Sequence, residues 1–302
     1  MYMSLTYKDS KEATPIAKIV DLGSDKVIYL LSQSHEFPPI PKKNVKSQTY
    51  KCPYCKKVIK DKQVLIRHLS VKSVCPKKGH VVMETMPCIK LENYEKLIPI
   101  PLPLEEHSII FVTGPPKCGK SYWINEYVKS FKKLYNKKVF LISRVDEDET
   151  LLKDKDKYIH ISITEDLIKD PFKIEDFADS LIVFDDIESS EFPKATEKAY
   201  SLMDDLLKNG RHYNTAVIFA NQESRMGKKT KPLLTTVTHI VVFPSSCSLY
   251  QTEKLLKEHM GMSKYEIEYA LSLNTRWIMT QRARPQFVMY EHGIYMLGKQ
   301  FY

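Results

Sequence analysis

Gly114-Pro115-Pro116-Lys117-Cys118-Gly119-Lys120-Ser121 has the spacing Gly-x4-Gly-Lys-Ser, in which each residue type has a separate task. The two glycines let the backbone turn tightly, so that its N–H groups face phosphate oxygens. Lys120 is long enough to reach the β- and γ-phosphates of a nucleotide, and the Ser121 hydroxyl can ligate Mg²⁺. An apolar run precedes the motif and helical spacing follows it, so the positive end of a helix points at the bound anion. The eight residues from Gly114 to Ser121 are therefore expected to cradle ATP.

Two more segments have matching chemistry. Leu181-Ile182-Val183-Phe184-Asp185-Asp186 is an apolar strand pattern ending in two acids. Such a strand delivers its carboxylate beside a phosphate loop, where Asp185 would hold Mg²⁺. Asp186 would polarise the attacking water, with Glu188 as its substitute; two acids capping the following helix or loop is the alternative. Ala216-Val217-Ile218-Phe219-Ala220 ends in Asn221-Gln222, and a polar tip on a buried strand needs a hydrogen-bonding partner. If this strand lies between the phosphate-loop strand and the Asp185 strand, Gln222 faces the γ-phosphate and orients water. An ordinary strand-end turn is the alternative.

Cys52-Pro53-Tyr54-Cys55 is followed after twelve residues by His68 and after six more by Cys75. This spacing fits a Cys₂-His-Cys Zn²⁺ site, a variant of the C₂H₂ finger, although its last interval exceeds the usual one by a residue. His80 and Cys88 are more distant substitutes. So small a unit has almost no core, and zinc would supply most of its folding free energy. Arg67, Val64 and Asp61 would occupy base-facing positions, of which only Arg67 is a typical base reader.

These residues need elements to carry them. The expected strands are Ile109–Thr113, Val139–Ser143, Tyr158–Ser162, Leu181–Phe184, Ala216–Ala220 and His239–Phe243, with helical spacing over Tyr122–Tyr135 and Ala195–Leu207. Apolar strands separated by helices predict an α/β fold with a mainly parallel sheet covered on both faces. Two helices (Tyr250–His259, Ser263–Leu273) and extra strands (Arg276–Thr280, Phe287–Leu297) follow, and Thr14–Leu31 could form a hairpin around Gly23-Ser24-Asp25. Proline-rich stretches at Phe37–Pro41 and Ile98–Leu104 suggest boundaries. The resulting division is an N-terminal segment and linker (1–49), a basic zinc-finger-like module (50–80), a linker (81–107) and an ATPase domain (108–302).

Charge is concentrated in the module. The chain carries a net +9, yet Lys42 to His80 alone holds eleven lysines and Arg67 against the single acid Asp61. Such a segment suggests a polyanionic partner, above all phosphate backbones; a solvated tail is the plainer alternative. The first residues, Met1 to Lys8, lack an apolar signal core, and no run of eighteen apolar residues occurs. No membrane span is expected, and six cysteines with three clustered fit metal binding in a reducing, intracellular compartment.

The order of phosphate loop, Phe184-Asp185-Asp186, Asn209-Gly210-Arg211-His212-Tyr213 and Val217–Gln222 resembles the FtsK/HerA superfamily of P-loop (RecA/FtsK-like) ATPases. The likeness is greatest to the DNA-packaging ATPases of nucleocytoplasmic large DNA viruses, the poxvirus-type branch, and covers about Ser108 to Phe243. It implies a homo-oligomeric ring motor that drives double-stranded DNA with ATP, into a capsid with a capsid or portal-region protein as partner. It also implies a location in the host cytoplasm, at a virus factory, or in the virion. Asp186 stands where many superfamily members carry Glu. Ring motors take an arginine from a neighbouring subunit; Arg211 is the first candidate here, then Arg225, Arg276, Arg282 and Arg284. The alternatives are a helicase or other nucleic-acid remodeller, a zinc-finger DNA-binding regulator with a nucleotide switch domain, and a small-molecule kinase.

Overall fold

A computed structural model describes residues 2–10, 13–20, 26–33, 50–51, 58–59, 88–91, 95–144, 157–187, 191–222 and 230–297. Along the chain these form β1 (Tyr2–Thr6), β2 (Ala13–Val20), β3 (Lys26–Gln33), the two-residue strands β4 (Tyr50–Lys51) and β5 (Val58–Ile59), β6 (Cys88–Lys90), β7 (Lys96–Pro99) and β8 (Ile109–Thr113). Then come α1 (Lys120–Tyr135), β9 (Lys138–Ser143), β10 (Ile159–Ser162), α2 (Asp166–Lys169), β11 (Ser180–Asp185), α3 (Pro193–Asn209) and β12 (Thr215–Asn221). The chain continues through α4 (Thr230–Leu233), β13 (His239–Val242), α5 (Leu249–Met260), α6 (Lys264–Ser272), β14 (Ile278–Gln281), β15 (Phe287–Tyr290) and β16 (Gly293–Met296).

The central sheet has ten strands in the order β10-β9-β11-β12-β8-β13-β14-β15-β16-β6. The six from β10 to β13 run parallel, and the remaining four add antiparallel. Both faces are covered, which is why the parallel strands read as unbroken apolar runs. Along β8, Ile109 and Phe111 join a core shared with α3, α5 and α6, while Ile110 and Val112 join one shared with α1. The expected α/β architecture with a mostly parallel sheet is thus present.

A second, four-stranded antiparallel sheet, β1-β3-β2-β7, packs on the α1 side. Ile16, Ile19, Ile28 and Leu97 share their core with Trp123, Tyr127 and Phe131 of α1. The hairpin expected around residues 23–25 is its β2–β3 pair, with a bulge between Pro15 and Ala17 that lets a strand accommodate proline.

Two expectations need correction. Residues 81–107, read as a linker, contribute β6 to the central sheet and β7 to the small one. The final stretch is two strands rather than one, turning at Glu291-His292. The first depends on pairing with distant chain, which short local patterns do not encode; the second is a local hairpin whose turn residues, Glu291 and His292, are not usual turn formers. Among the described residues no helix is long and apolar enough to cross a membrane.

Candidate nucleotide site

The phosphate loop joins the carboxyl end of β8 to the start of α1, as its sequence requires. Gly119 caps the helix at φ 110°, a left-handed conformation that glycine adopts without steric cost. Lys117 is also left-handed, at φ 65°. Gly114 is needed for close approach: a Cβ there would lie 2.7 Å from Cys118 Sγ and 3.1 Å from a Phe243 ring carbon. Its N–H donates to the Asn221 carbonyl at 3.3 Å, tying the loop to the tip of β12. Pro115 and Pro116 have no N–H, so the loop's donors come from Lys117 onward. Those of the first helical turn, Lys120 and Ser121 among them, have no intrahelical acceptor and are suited to an anion.

Lys120 Nζ donates to the carbonyls of Gly114 at 2.6 Å and Pro115 at 3.0 Å, which holds the ammonium over the loop. Burial pushes the Cys118 thiol above its ordinary range, with Lys120 pulling the other way.

Asp185 ends β11 and is only 8% exposed. The strand order β11-β12-β8 meets the condition set for Gln222, since β12 lies between the phosphate-loop strand and the Asp185 strand. Gln222 Nε2 donates to Asp186 Oδ2 at 2.9 Å. Asp186 is left-handed at φ 49°, a conformation that Asp and Asn tolerate better than most residues other than glycine. The hydroxyl of Ser121 and the carboxylate of Asp185 are hard oxygen donors at the same sheet edge, a pair that suits Mg²⁺ shared with nucleotide phosphates.

Other expected residues lie elsewhere. Arg211 is exposed in the 3₁₀ turn Gly210–Tyr213, before β12 begins. It sits at the amino edge of the sheet, a strand length of roughly 20 Å from Gln222. Arg282 is also at that edge, its backbone N–H bonded to Thr238 O at 2.8 Å and its guanidinium to Thr235 O. Arg284 is exposed in the turn that follows. Arg276 is at the carboxyl edge but is engaged by Glu291 through two hydrogen bonds.

Glu188, Arg225, His80 and the zinc-ligand candidates Cys52, Cys55, His68 and Cys75 lie outside the described residues. Cys88 is an exposed free thiol on β6. Among the described residues no three His, Cys, Asp or Glu side chains gather in one place.

One cation was missed by sequence reasoning. Arg144 follows Ser143, whose Cα partner across the sheet is Asp185, and it pairs with Glu191 at 3.4 Å. Its signal resembles the one used for Asp185, a charged residue just past an apolar run, here with Ser143 between them. Its relevance depends on β9 lying next to β11, and strand order is not written locally.

No family model matches the chain. The genome packaging NTPase B204 of Sulfolobus turreted icosahedral virus 2, solved with AMPPCP, is similar over 61% of this chain and 96% of its own, at 15% identity and a TM-score of 0.41. The DNA-packaging ATPase B204 of Sulfolobus turreted icosahedral virus is similar over 62% and 97%, at 13% and 0.42. The cytoplasmic domain of the type VII secretion ATPase EccC of Thermomonospora curvata is similar over 66% and 24%, at 14% and 0.42. In sequence, the uncharacterized protein V3 of Sputnik virophage is 31% identical over 201 residues, which span 66% of this chain and 80% of that protein. With that identity over most of the virophage protein's length, the chain belongs to the family of the Sputnik virophage protein V3.

Proposed function

We propose that this chain is a P-loop ATPase of the FtsK/HerA type that couples ATP hydrolysis to the movement of double-stranded DNA, packaging a viral genome as a homo-oligomeric ring. The observation that supports it most is the Gln222–Asp186 hydrogen bond at the tip of a strand lying between the phosphate loop and Asp185. A loop that only bound phosphate would need no such pair. In hydrolysis, water attacks the γ-phosphorus, the bond to the β–γ bridging oxygen breaks, and ADP and phosphate leave. Asp186 receives the water's proton, Gln222 fixes that carboxylate, and Lys120 meets the charge that develops on the phosphate oxygens. Mg²⁺ held by Ser121 and Asp185 would neutralise phosphate charge.

DNA as the partner is supported by the basic run from Lys42 to His80 and by the resemblance of the motif order to DNA-packaging ATPases, the poxvirus-type branch in particular. Arg211, exposed and far from its own phosphate loop, suits a residue donated to a neighbouring subunit. Residues 50–80 are proposed as a Zn²⁺ module on the spacing of Cys52, Cys55, His68 and Cys75. Loss of bound zinc in Cys52→Ser tests that ligand set, and zinc content unchanged by the substitution refutes it. A capsid or portal-region partner and a place in the virion or virus factory belong to the same reading.

The decisive experiment measures ATP hydrolysis with and without double-stranded DNA, with mass measurement in the presence of both. DNA-stimulated turnover by a ring is expected. No turnover with any nucleic acid sinks the motor, and turnover by a strict monomer sinks the ring.

A further inference from the structure

A cleft of about 340 Å³ opens beside α1, starting one residue beyond the phosphate loop at Tyr122. Tyr122, Trp123 and Glu126 of α1, Ile98 of β7, Arg276 and Glu291 contribute to its walls. Its position follows from the strand order. Asp185 lies two strands from β8 on one side, whereas β13 and β14 lie on the other. A nucleotide whose terminal phosphate faces Asp185 must therefore carry its sugar and base toward β13 and β14. Arg276 leads into β14 at Ile278, the partner of Val242 at the carboxyl end of β13. Glu291 follows Tyr290, which is the partner of Ile278 on the next strand. The cleft thus opens at the same sheet edge as the loop, and Tyr122 is the residue directly after Ser121.

At about 340 Å³ it falls within the size range of small-molecule sites, and its aromatic lining suits a flat aromatic ligand. Trp123 and Trp277 meet edge to face at 6.2 Å, and Trp123 stacks on Tyr127 at 5.4 Å. These buried rings are accounted for by packing among α1, the small sheet and the entry to β14. Tyr122 is not: it is 54% exposed, with the Arg276 guanidinium 5.6 Å from its ring centroid. Arg276 is itself fixed, donating through Nε at 3.1 Å and Nη2 at 2.5 Å to Glu291, which is 6% exposed. The Arg276 guanidinium holds the Glu291 carboxyl below the usual carboxylate range, so the pair stays charged at neutral pH. A large exposed ring held in place by an immobilised cation is a preorganised stacking platform.

We infer that this cleft is the purine-base subsite of the nucleotide site, with Tyr122 as the stacking surface and Arg276 as its support; the inference rests on the ATPase reading above. Glu126 at the rim is an acceptor for an exocyclic amino group.

Calorimetric titration with ATP and with inorganic tripolyphosphate, which lacks a base, tests it. ATP is expected to bind at least about tenfold more tightly than tripolyphosphate. Tyr122→Ala should lower ATP affinity by about tenfold and change tripolyphosphate affinity by less than about twofold, while Tyr122→Phe retains ATP binding. Because the chain's two tryptophans both line the cleft, ATP should also alter their fluorescence, and tripolyphosphate should not. Equal losses for both ligands in Tyr122→Ala, or no loss for either, overturn the base subsite. Tripolyphosphate binding without any gain from the base rejects the subsite and spares the phosphate loop. Binding of neither ligand by the wild-type chain rejects the nucleotide reading and the subsite with it.

Discussion

The two edges of the parallel sheet use polar side chains in opposite ways. At the amino edge they tie one part of the fold to another: Ser180 to the Phe177 carbonyl, Thr238 to both the N–H and the carbonyl of Ile109, His107 to the Thr215 carbonyl, and His239 to Gln281. These contacts close the short connections entering each strand. At the carboxyl edge Gln222 bonds instead to Asp186, and Lys120 to the loop that it would leave for phosphate. The first kind of contact stabilises the fold and has nothing left to offer a ligand. The second kind can be exchanged for a ligand. Substitutions at the two edges should accordingly separate into losses of stability and losses of chemistry.

The largest separation is expected from Lys120→Ala. Its turnover should fall about 100- to 1000-fold, equivalent to about 3–4 kcal/mol, with its melting temperature unchanged. A comparable loss of stability would mean that the lysine's bonds to the loop matter to the fold, which would erase the distinction. At the amino edge, burial pushes His239 down to about 4 from 6.5, and it stays neutral with a bond to Gln281. Below pH 6.5 the unfolded chain takes up this proton and the folded one does not. Stability should therefore decline as pH falls from about 6.5 to about 4, by roughly 3 kcal/mol, and be constant with respect to this group above that window. Denaturant titrations at several pH values measure it, and His239→Gln should flatten the slope.

Gln222→Ala should lower turnover by about tenfold, near 1–2 kcal/mol, and leave ATP affinity almost intact, since it removes a positioning bond and not a phosphate contact. A matching loss of ATP affinity would argue for direct phosphate contact instead. The smallest effect belongs to Arg211→Ala, which should change the nucleotide affinity of the dilute monomer by less than about twofold. A larger change would break the division between edges, because no amino-edge residue should reach its own phosphates. If subunits assemble as proposed, turnover by the assembly is where its loss should be felt.

Much of the carboxyl edge was legible because its chemistry is local. Gly114 to Ser121 and Asp185-Asp186 are contiguous, and the unbroken apolar runs before them marked strands buried on both faces. The position of Gln222 near the phosphate loop depends on β12 lying between β8 and β11, which only the sheet order supplies. What was not legible depends on distant chain. Arg144 gains meaning only beside Asp185, and β6 and β7 are short segments made into strands by partners far away in sequence. The cleft by Tyr122 draws its walls from β7, α1, the entry to β14 and the turn before β16, so no window of sequence contains it. Arg211 was read from neighbouring motifs along the chain, yet a seven-residue strand separates it from them in space.

That strand has a mechanical consequence. β12 is registered with β11 over six pairs and with β8 over five, in the middle of a sheet packed on both faces. It can neither bend nor slide alone without breaking those ladders. A displacement of Gln222 when the terminal phosphate departs must be absorbed within the tip or passed along the whole rod to the turn that bears Arg211. In a ring, that turn would be a surface on which one subunit's chemical state is felt by the next.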